Sequence, residues 1–416
     1  MISDTFCIKP WVHMATYTSG EALMCCVARE AAGNLNKHTI EQIWNSEHYR
    51  EARLKMLKGE KVKACTKCYD EETAGIHSHR VIQNHLWIEL EGDNEGYVGK
   101  ERLDKLINQT EENGYLPSRP ISFDFRLGNT CNLQCVMCGP KDSSKWVGLA
   151  KKLGQINKWD TSKFNWVEDE SFWNDQFLPL LPNIKHLILA GGEPMYLKQH
   201  IPLLEKIVEK GYAKNIKIRY HTNATITPTN RIFELWNEFK HIDLSMSIDC
   251  YEDKNSYIRY PDHWGDIVDT LHMVDNAPDN IGPRMNCTIN AINVFYMPEF
   301  VDWIQKQKFI KIGRQKNSAL HGLPFIGYVH GPTYMNCKVL PRNIKEVIVK
   351  KYDEWYSKFD KPWFGVDQIY AVKDFMMSED KSRHFGEFKE YINRIDNIRD
   401  TNFKRIFPEL AALMEK

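Results

Sequence analysis

The sequence carries no surplus of charge of either sign, its 55 Lys and Arg being balanced by 55 Asp and Glu. That balance removes any global electrostatic attraction to nucleic acid or to an anionic membrane, and no nucleic-acid partner is expected. No apolar run approaches the roughly 20 residues that span a bilayer. Residues Met1 to Phe6 show neither the basic nor the apolar stretch of a secretory leader. No membrane partner is therefore expected, and the location is read as cytoplasmic. Internal repeats and low-complexity tracts are absent, and the 15 histidines show no ligand-like spacing. With 42% hydrophobic and 26% charged residues the composition is that of a folded globular chain. Its 416 residues exceed what one core usually holds, which points to two or three structural units.

Cysteine is plentiful. Eleven thiols are many for a reducing compartment, where stable disulfides are uncommon, so metal or redox chemistry becomes the leading question. Along the chain, residues 1–90 hold five of the cysteines and one helical stretch, Thr39 to Lys58, with Ile40, Ile43 and Trp44 at helical spacing. Residues 91–119 are rich in Gly, Asn and charge and read as a connector with a short helix at Arg102 to Asn108. From 120 to 315, short apolar runs alternate with helical stretches, the pattern of repeated βα units on a parallel sheet. The expected strands are Ile121–Leu127, His186–Ala190, Ile216–His221, Ile242–Ile248, Arg284–Ile292 and Phe309–Ile312. Residues 316–416 begin with a Gly/Pro-containing loop and continue as amphipathic helices, Asn343 to Phe359 and Glu387 to Arg399 among them.

Cys131, Cys135 and Cys138 stand at spacings of four and three directly after the first expected strand of the βα region. Three thiolates on one loop suit a [4Fe-4S] cube and leave one iron without a protein ligand, open to a cofactor or substrate. An incomplete zinc site, or three unrelated buried thiols, is the bland alternative. In order along the chain follow Gly191-Gly192-Glu193-Pro194, Thr222-Asn223-Ala224, Ser247-Ile248-Asp249 and Tyr257-Ile258-Arg259, most of them at the end of an expected strand. Functional groups collect at that end in β/α barrels.

Taken together these motifs resemble the radical SAM superfamily over about residues 121–312. The resemblance implies an α/β fold: a partial, TIM-like barrel of six βα units, with a small N-terminal α+β auxiliary domain and a helical C-terminal region. It implies S-adenosylmethionine (SAM) as cofactor, bound to the open iron of the Cys131/Cys135/Cys138 cluster. Gly191, Gly192, Glu193 and Pro194 would contact its methionine amine, Met137 its adenine, and Asn223, Ser247, Asp249 and Arg259 its remaining polar groups, with the Asn286–Asn293 strand nearby. Ala224 and Cys250 depart from the family, which commonly has Gly at both places. The implied chemistry is reductive cleavage of SAM to a 5'-deoxyadenosyl radical that takes hydrogen from a substrate, with an external electron donor of the flavodoxin or ferredoxin type.

A second group of thiols lies before the barrel: Cys7, then Gly20 with four residues between it and Cys25, then Cys65-Thr66-Lys67-Cys68. From spacing alone, structural zinc and an iron–sulfur cluster are evenly matched. The Gly spacing, the Ile43-Trp44 helix and the closing CxxC resemble the twitch or SPASM auxiliary domain. That implies an auxiliary [4Fe-4S] cluster on Cys7, Cys25, Cys65 and Cys68, with Cys26 a substitute for Cys25. Full ligation by protein favours electron transfer over substrate binding. The same resemblance favours a peptide or protein side chain as substrate, ahead of a small molecule such as a nucleotide, sugar or amine; a non-catalytic iron–sulfur electron carrier is the remaining alternative. Cys250 could donate a hydrogen atom, although it, Cys287 and Cys337 read more simply as buried side chains.

Overall fold

Ser-Phe-Asp-Phe-Arg at 122–126 alternates polar and apolar residues, the pattern of a strand with one buried face. In the computed structural model, which describes residues 2–73, 77–89, 98–314 and 320–415, this segment is central to a parallel sheet. It is β4 (Ser122–Arg126), and with β1 (His13–Thr16), β2 (Glu21–Leu23), β3 (Gly33–Asn34), β5 (His186–Ala190) and β6 (Lys217–Thr222) it stands in the order β3-β2-β1-β4-β5-β6. β1 pairs antiparallel with β2 but parallel with β4, and β4, β5 and β6 are parallel throughout. The N-terminal hairpin therefore continues the sheet of the βα segment. Phe123 and Phe125 are buried against Phe177, with ring centroids 5.8 and 5.3 Å away. Each phenyl so buried stabilises the fold by about 1.5–3 kcal/mol.

The chain divides into two compact units, one of Met1–Thr130, Asp160–Tyr220 and Ile232–Ile242, the other of Cys131–Trp159, His221–Arg231 and Asp243–Lys416. These cut across the segments drawn from sequence, because strand pairing binds β1 to β4. Positions 91–97 of the connector and 315–319, where the βα segment gives way to the helical region, lie outside the described residues.

In the first unit the expected Thr39–Lys58 helix is two, Ile40–Trp44 and Glu47–Leu57. Thr39 and Gln42 form a capping box at the start. The break at Asn45-Ser46 lets the Asn45 Oδ1 accept from the backbone N–H of Leu116 (3.0 Å) and from Arg53 Nη1 (2.9 Å). Arg53 is fully buried and also donates to the carbonyls of Pro10, Trp44 and Gly114, fastening the helix to both neighbouring segments.

The second unit contains most of β7 (His241–Ser247), then β8 (Ile281–Ile289) and β9 (Phe325–Tyr328); β7 adjoins β8, and β8 and β9 are parallel. One expectation is corrected here: the sixth strand of the βα segment is Phe325–Tyr328, not Phe309–Ile312. The backbone N–H groups of Ile310, Lys311 and Ile312 all donate to the carboxylate of Asp275, at 2.8, 2.8 and 2.7 Å. Donors spent on a side chain cannot join a sheet ladder. Beyond β9 the unit is helical, including Arg342–Tyr356 and Phe385–Arg399. Among the described residues no helix is long and apolar enough to cross a membrane.

Candidate active site

The loop Cys131–Cys138 has no regular secondary structure, and it is fixed instead by bonds to its backbone. The N–H of Val136 donates to the Ile258 carbonyl at 2.8 Å and that of Gln134 to the Tyr260 carbonyl. Trp146 Nε1 donates to the Cys135 carbonyl (2.8 Å), Ser143 Oγ to that of Leu133 (2.5 Å), Tyr391 Oη to that of Val136 (2.7 Å), and Arg399 to that of Gln134. Leu133 and Val136 are the buried anchors, so the thiols are what the loop has left to offer. Cys131 and Cys135 are buried and Cys138 is half-buried, with Met137 packed against the first two.

Charge is distributed unevenly over these thiols. Cys135 is held below the ordinary thiol range by a hydrogen bond with the Cys138 thiol and by the positive charge of Arg259, against the opposing effect of burial. Cys138 is pushed well up by the same shared bond. Arg259 Nη1 lies 4.0 Å from Cys135 Sγ, and its Nη2 lies 2.8 Å from Asp249 Oδ2. Asp249 is fully buried and its Oδ1 accepts from the Thr288 N–H at 2.7 Å. Arg259 is thus directed at a cysteine sulfur, and Asp249 at Arg259.

Asn223 belongs to the same surroundings. Its Nδ2 donates to Asn132 Oδ1 at 2.9 Å and lies 4.0 Å from Cys131 Sγ. The next residue, Ala224, has φ 62°, a left-handed conformation that explains why glycine suits this turn. Ser247 is half-buried at the end of β7. Two residues earlier, Ser245 accepts from Arg284 (3.1 Å) and Asn286 (2.6 Å). Asn293 donates to the Asp249 carbonyl at 2.9 Å. Cys250, Cys287 and Cys337 are all buried, burial pushing Cys250 and Cys337 up to about 12.

Gly191 to Pro194 lie in the first unit, after β5. Gly191 has φ 121°, and a side chain on it would meet the Gly128 carbonyl oxygen at 2.7 Å; one on Gly192 would overlap the Thr130 carbonyl. The glycines are required by this close passage along Leu127–Thr130, where the Gly192 and Glu193 N–H groups donate to the carbonyls of Gly128 and Thr130 at 3.1 and 2.9 Å. Glu193 is fully buried, and its Oε1 accepts from the Met195 N–H at 3.1 Å.

The N-terminal thiols also lie in the first unit. Gly20 (φ 80°) closes the turn between β1 and β2, and a side chain there would meet Trp166 at 2.9 Å. Cys25 follows β2, Cys65 ends a short 3-10 turn and Cys68 lies in the helix Thr66–Thr73. Cys7, Cys25, Cys65 and Cys68 feel one another electrostatically: burial raises Cys7 to about 11 and Cys25 to about 12, and raises Cys65 and Cys68 too. Cys26 shares Lys9 and Cys25 as neighbours, and its Sγ also lies 4.0 Å from His79 Nε2 and near Asp124 and Arg126. Lys9, which no sequence pattern marks, is buried beside Cys26, Cys25 and Cys7. Neutral thiols do not offset a buried ammonium, whereas a thiolate-ligated cluster, being anionic, does. Both thiol groups therefore fit an iron–sulfur cube chemically, with a buried cation close to each. Among the described residues no group of three or more His, Cys, Asp or Glu is placed to hold a single metal ion; a cube makes a different demand, one thiolate on each ligated iron.

A parallel sheet with a three-thiol loop after its central strand defines an α/β protein equipped for iron–sulfur chemistry. Residues 125–298 match the family model of the radical SAM superfamily, and residues 7–69 that of SPASM, an iron-sulfur cluster-binding domain. The chain therefore carries a radical SAM domain with a SPASM-type domain ahead of it, and those domains imply SAM, a [4Fe-4S] cluster and auxiliary iron–sulfur binding. Among solved structures it is similar to SuiB of Streptococcus suis (15% identity, covering 75% of this chain and 62% of that one, TM-score 0.36). It is also similar to anSMEcpe with bound AdoMet (13% identity, 56% of this chain and 59% of that one, TM-score 0.39). The chain thus spans about three fifths of the length of either structure. No curated protein matches it.

Proposed function

We propose that the protein is a radical SAM enzyme acting on a peptide or protein side chain, with Cys131, Cys135 and Cys138 holding the SAM-binding cluster. In this reading Cys7, Cys25, Cys65 and Cys68 hold an auxiliary cluster. The observation that carries it is the loop 131–138, in which six main-chain carbonyl and amide groups from Leu133 to Val136 are tied to Ile258, Tyr260, Trp146, Ser143, Tyr391 and Arg399, so that the backbone is fixed and the cysteine side chains are left for ligation. When bound, the cluster and SAM supply one-electron cleavage and a hydrogen-abstracting radical. The protein's part is to hold thiolates ready, to keep water out and to place the substrate. Arg259 does the first by favouring the ionised form of Cys135, and Asp249 keeps Arg259 in place. Met137, Gly191 to Pro194, Asn223 and Ser247 are proposed around SAM, and Cys25 rather than Cys26 as auxiliary ligand, since Cys26 is directed at His79. An external flavodoxin- or ferredoxin-type donor supplies the electron, in the cytoplasm. The SPASM match favours a peptide substrate.

The test is anaerobic reconstitution with iron and sulfide, followed by SAM and dithionite. Formation of 5'-deoxyadenosine by the wild type, and its loss in Cys135→Ala, is the expected result; wild-type protein that cleaves no SAM refutes the reading. Stimulation of that cleavage by peptides encoded beside the gene, and not by nucleotides, sugars or amines, is the expected substrate result.

A further inference from the structure

We infer that Arg399, on a helix beyond the segment that matches the radical SAM family, is a positioning residue for the cluster loop and the counter-cation of its anionic cluster. The inference rests on the reading of Cys131, Cys135 and Cys138 as cluster ligands. Residues 125–298 carry the family match, whereas Arg399 ends the helix Phe385–Arg399.

The geometry is specific. Arg399 is 7% exposed, its guanidinium lies 4.9 Å over the Tyr260 ring, and it donates to the Gln134 carbonyl. Its Nε and Nη1 are buried and have no hydrogen-bond partner among the described residues. About two turns before it, Tyr391 donates to the Val136 carbonyl, so the same helix grips the loop on both sides of Cys135. A buried guanidinium with two unspent nitrogens is costly unless an anion stands near. The carboxylate of Asp249 does not supply one, being engaged by Arg259 at 2.8 Å. Arg399 and Cys135 do sense one another's charge. Three thiolates give the cube a net negative charge that grows on reduction, so a fixed cation beside it stabilises the reduced form.

The test uses the full-length, reconstituted protein and follows the one EPR signal that changes on adding SAM, which separates the open cluster from the auxiliary one. In Arg399→Gln the midpoint potential of that signal is expected to fall by the equivalent of about a tenfold change in the reduction equilibrium, about 59 mV for one electron. Arg399→Lys restores most of it, and Tyr391→Phe, which removes a loop bond but no charge, leaves it unchanged. A midpoint in Arg399→Gln equal to that of the wild type overturns the inference. Should Arg399→Gln take up no iron, Arg399→Lys decides: a SAM-responsive signal near the wild-type potential supports the charge role, and its loss overturns it. Wild-type protein with no SAM-responsive signal sinks the reading of the loop itself, whereas a wild-type signal indifferent to position 399 sinks only this inference.

Discussion

At the scale of single residues, the chemistry was legible where residue type and spacing carry it and illegible where distance in the chain intervenes. Cys131, Cys135 and Cys138 announce themselves. Lys9, Tyr391 and Arg399 do not, since a lone lysine, tyrosine or arginine has no pattern and its meaning lies in what it meets after folding. Arg259 was legible as a polar residue of the site, but not its direction toward a sulfur. Histidines gave no signal at all, yet His200 is almost fully buried, its Nε2 2.9 Å from the Tyr220 hydroxyl, with burial lowering its pKa to about 4. A base whose folded pKa lies below its unfolded value is protonated first in the unfolded chain. Stability is therefore expected to be intact above about pH 6.5 and to be lost as pH falls from there towards about 4, at up to about 1.4 kcal/mol per pH unit. Urea titrations across that range on wild type and His200→Gln check it: the variant should show a shallower slope, and an identical slope counts against the assignment.

At the scale of elements, five of the six expected strands of the βα segment lie within a few residues of where alternation put them. The sixth failed for a reason that sequence periodicity does not contain. Phe309–Ile312 reads as apolar and strand-like, but the Asp275 carboxylate takes three consecutive N–H groups there and makes a turn of it. The true strand, Phe325–Tyr328, is short and contains Gly327, which weakens its signal. Asp275→Asn halves the carboxylate's acceptor capacity and removes its charge. Because bonds to a charged group contribute about 1.5–3 kcal/mol, thermal unfolding should show a loss of about 2–3 kcal/mol. β9 pairs with β8 independently of that turn, so the circular dichroism of the folded state should be unaltered. A variant as stable as the wild type would show that the turn is held by something else.

At the scale of the whole molecule, the sequence pattern separates an N-terminal cysteine-bearing segment from a βα segment; the SPASM model matches residues 7–69 and the radical SAM model residues 125–298. What it did not disclose is that β1 and β4 are hydrogen-bonded neighbours, His13 facing Ser122 and Ala15 facing Asp124. No local pattern specifies which edge a hairpin will join. The pairing makes the N-terminal segment a cover for a sheet edge as well as a metal module. A chain begun at residue 98 would leave β4 with unpaired N–H and C=O groups along one side, a template for association. Size-exclusion chromatography of that truncated chain is expected to give aggregate, and a stable monomer would contradict the covering role.

The β1–β4 pairing also sets a schedule for synthesis. The hydrogen-bonded side chains of His13 and Ser122 are 109 residues apart in sequence, and a ribosome adding about 5–20 residues per second needs about 5–20 s to deliver the second after the first. Throughout that interval the nascent hairpin waits with its partner strand unmade, and the thiols of Cys7 and Cys25 wait with it, open to oxygen and to iron-delivery factors alike.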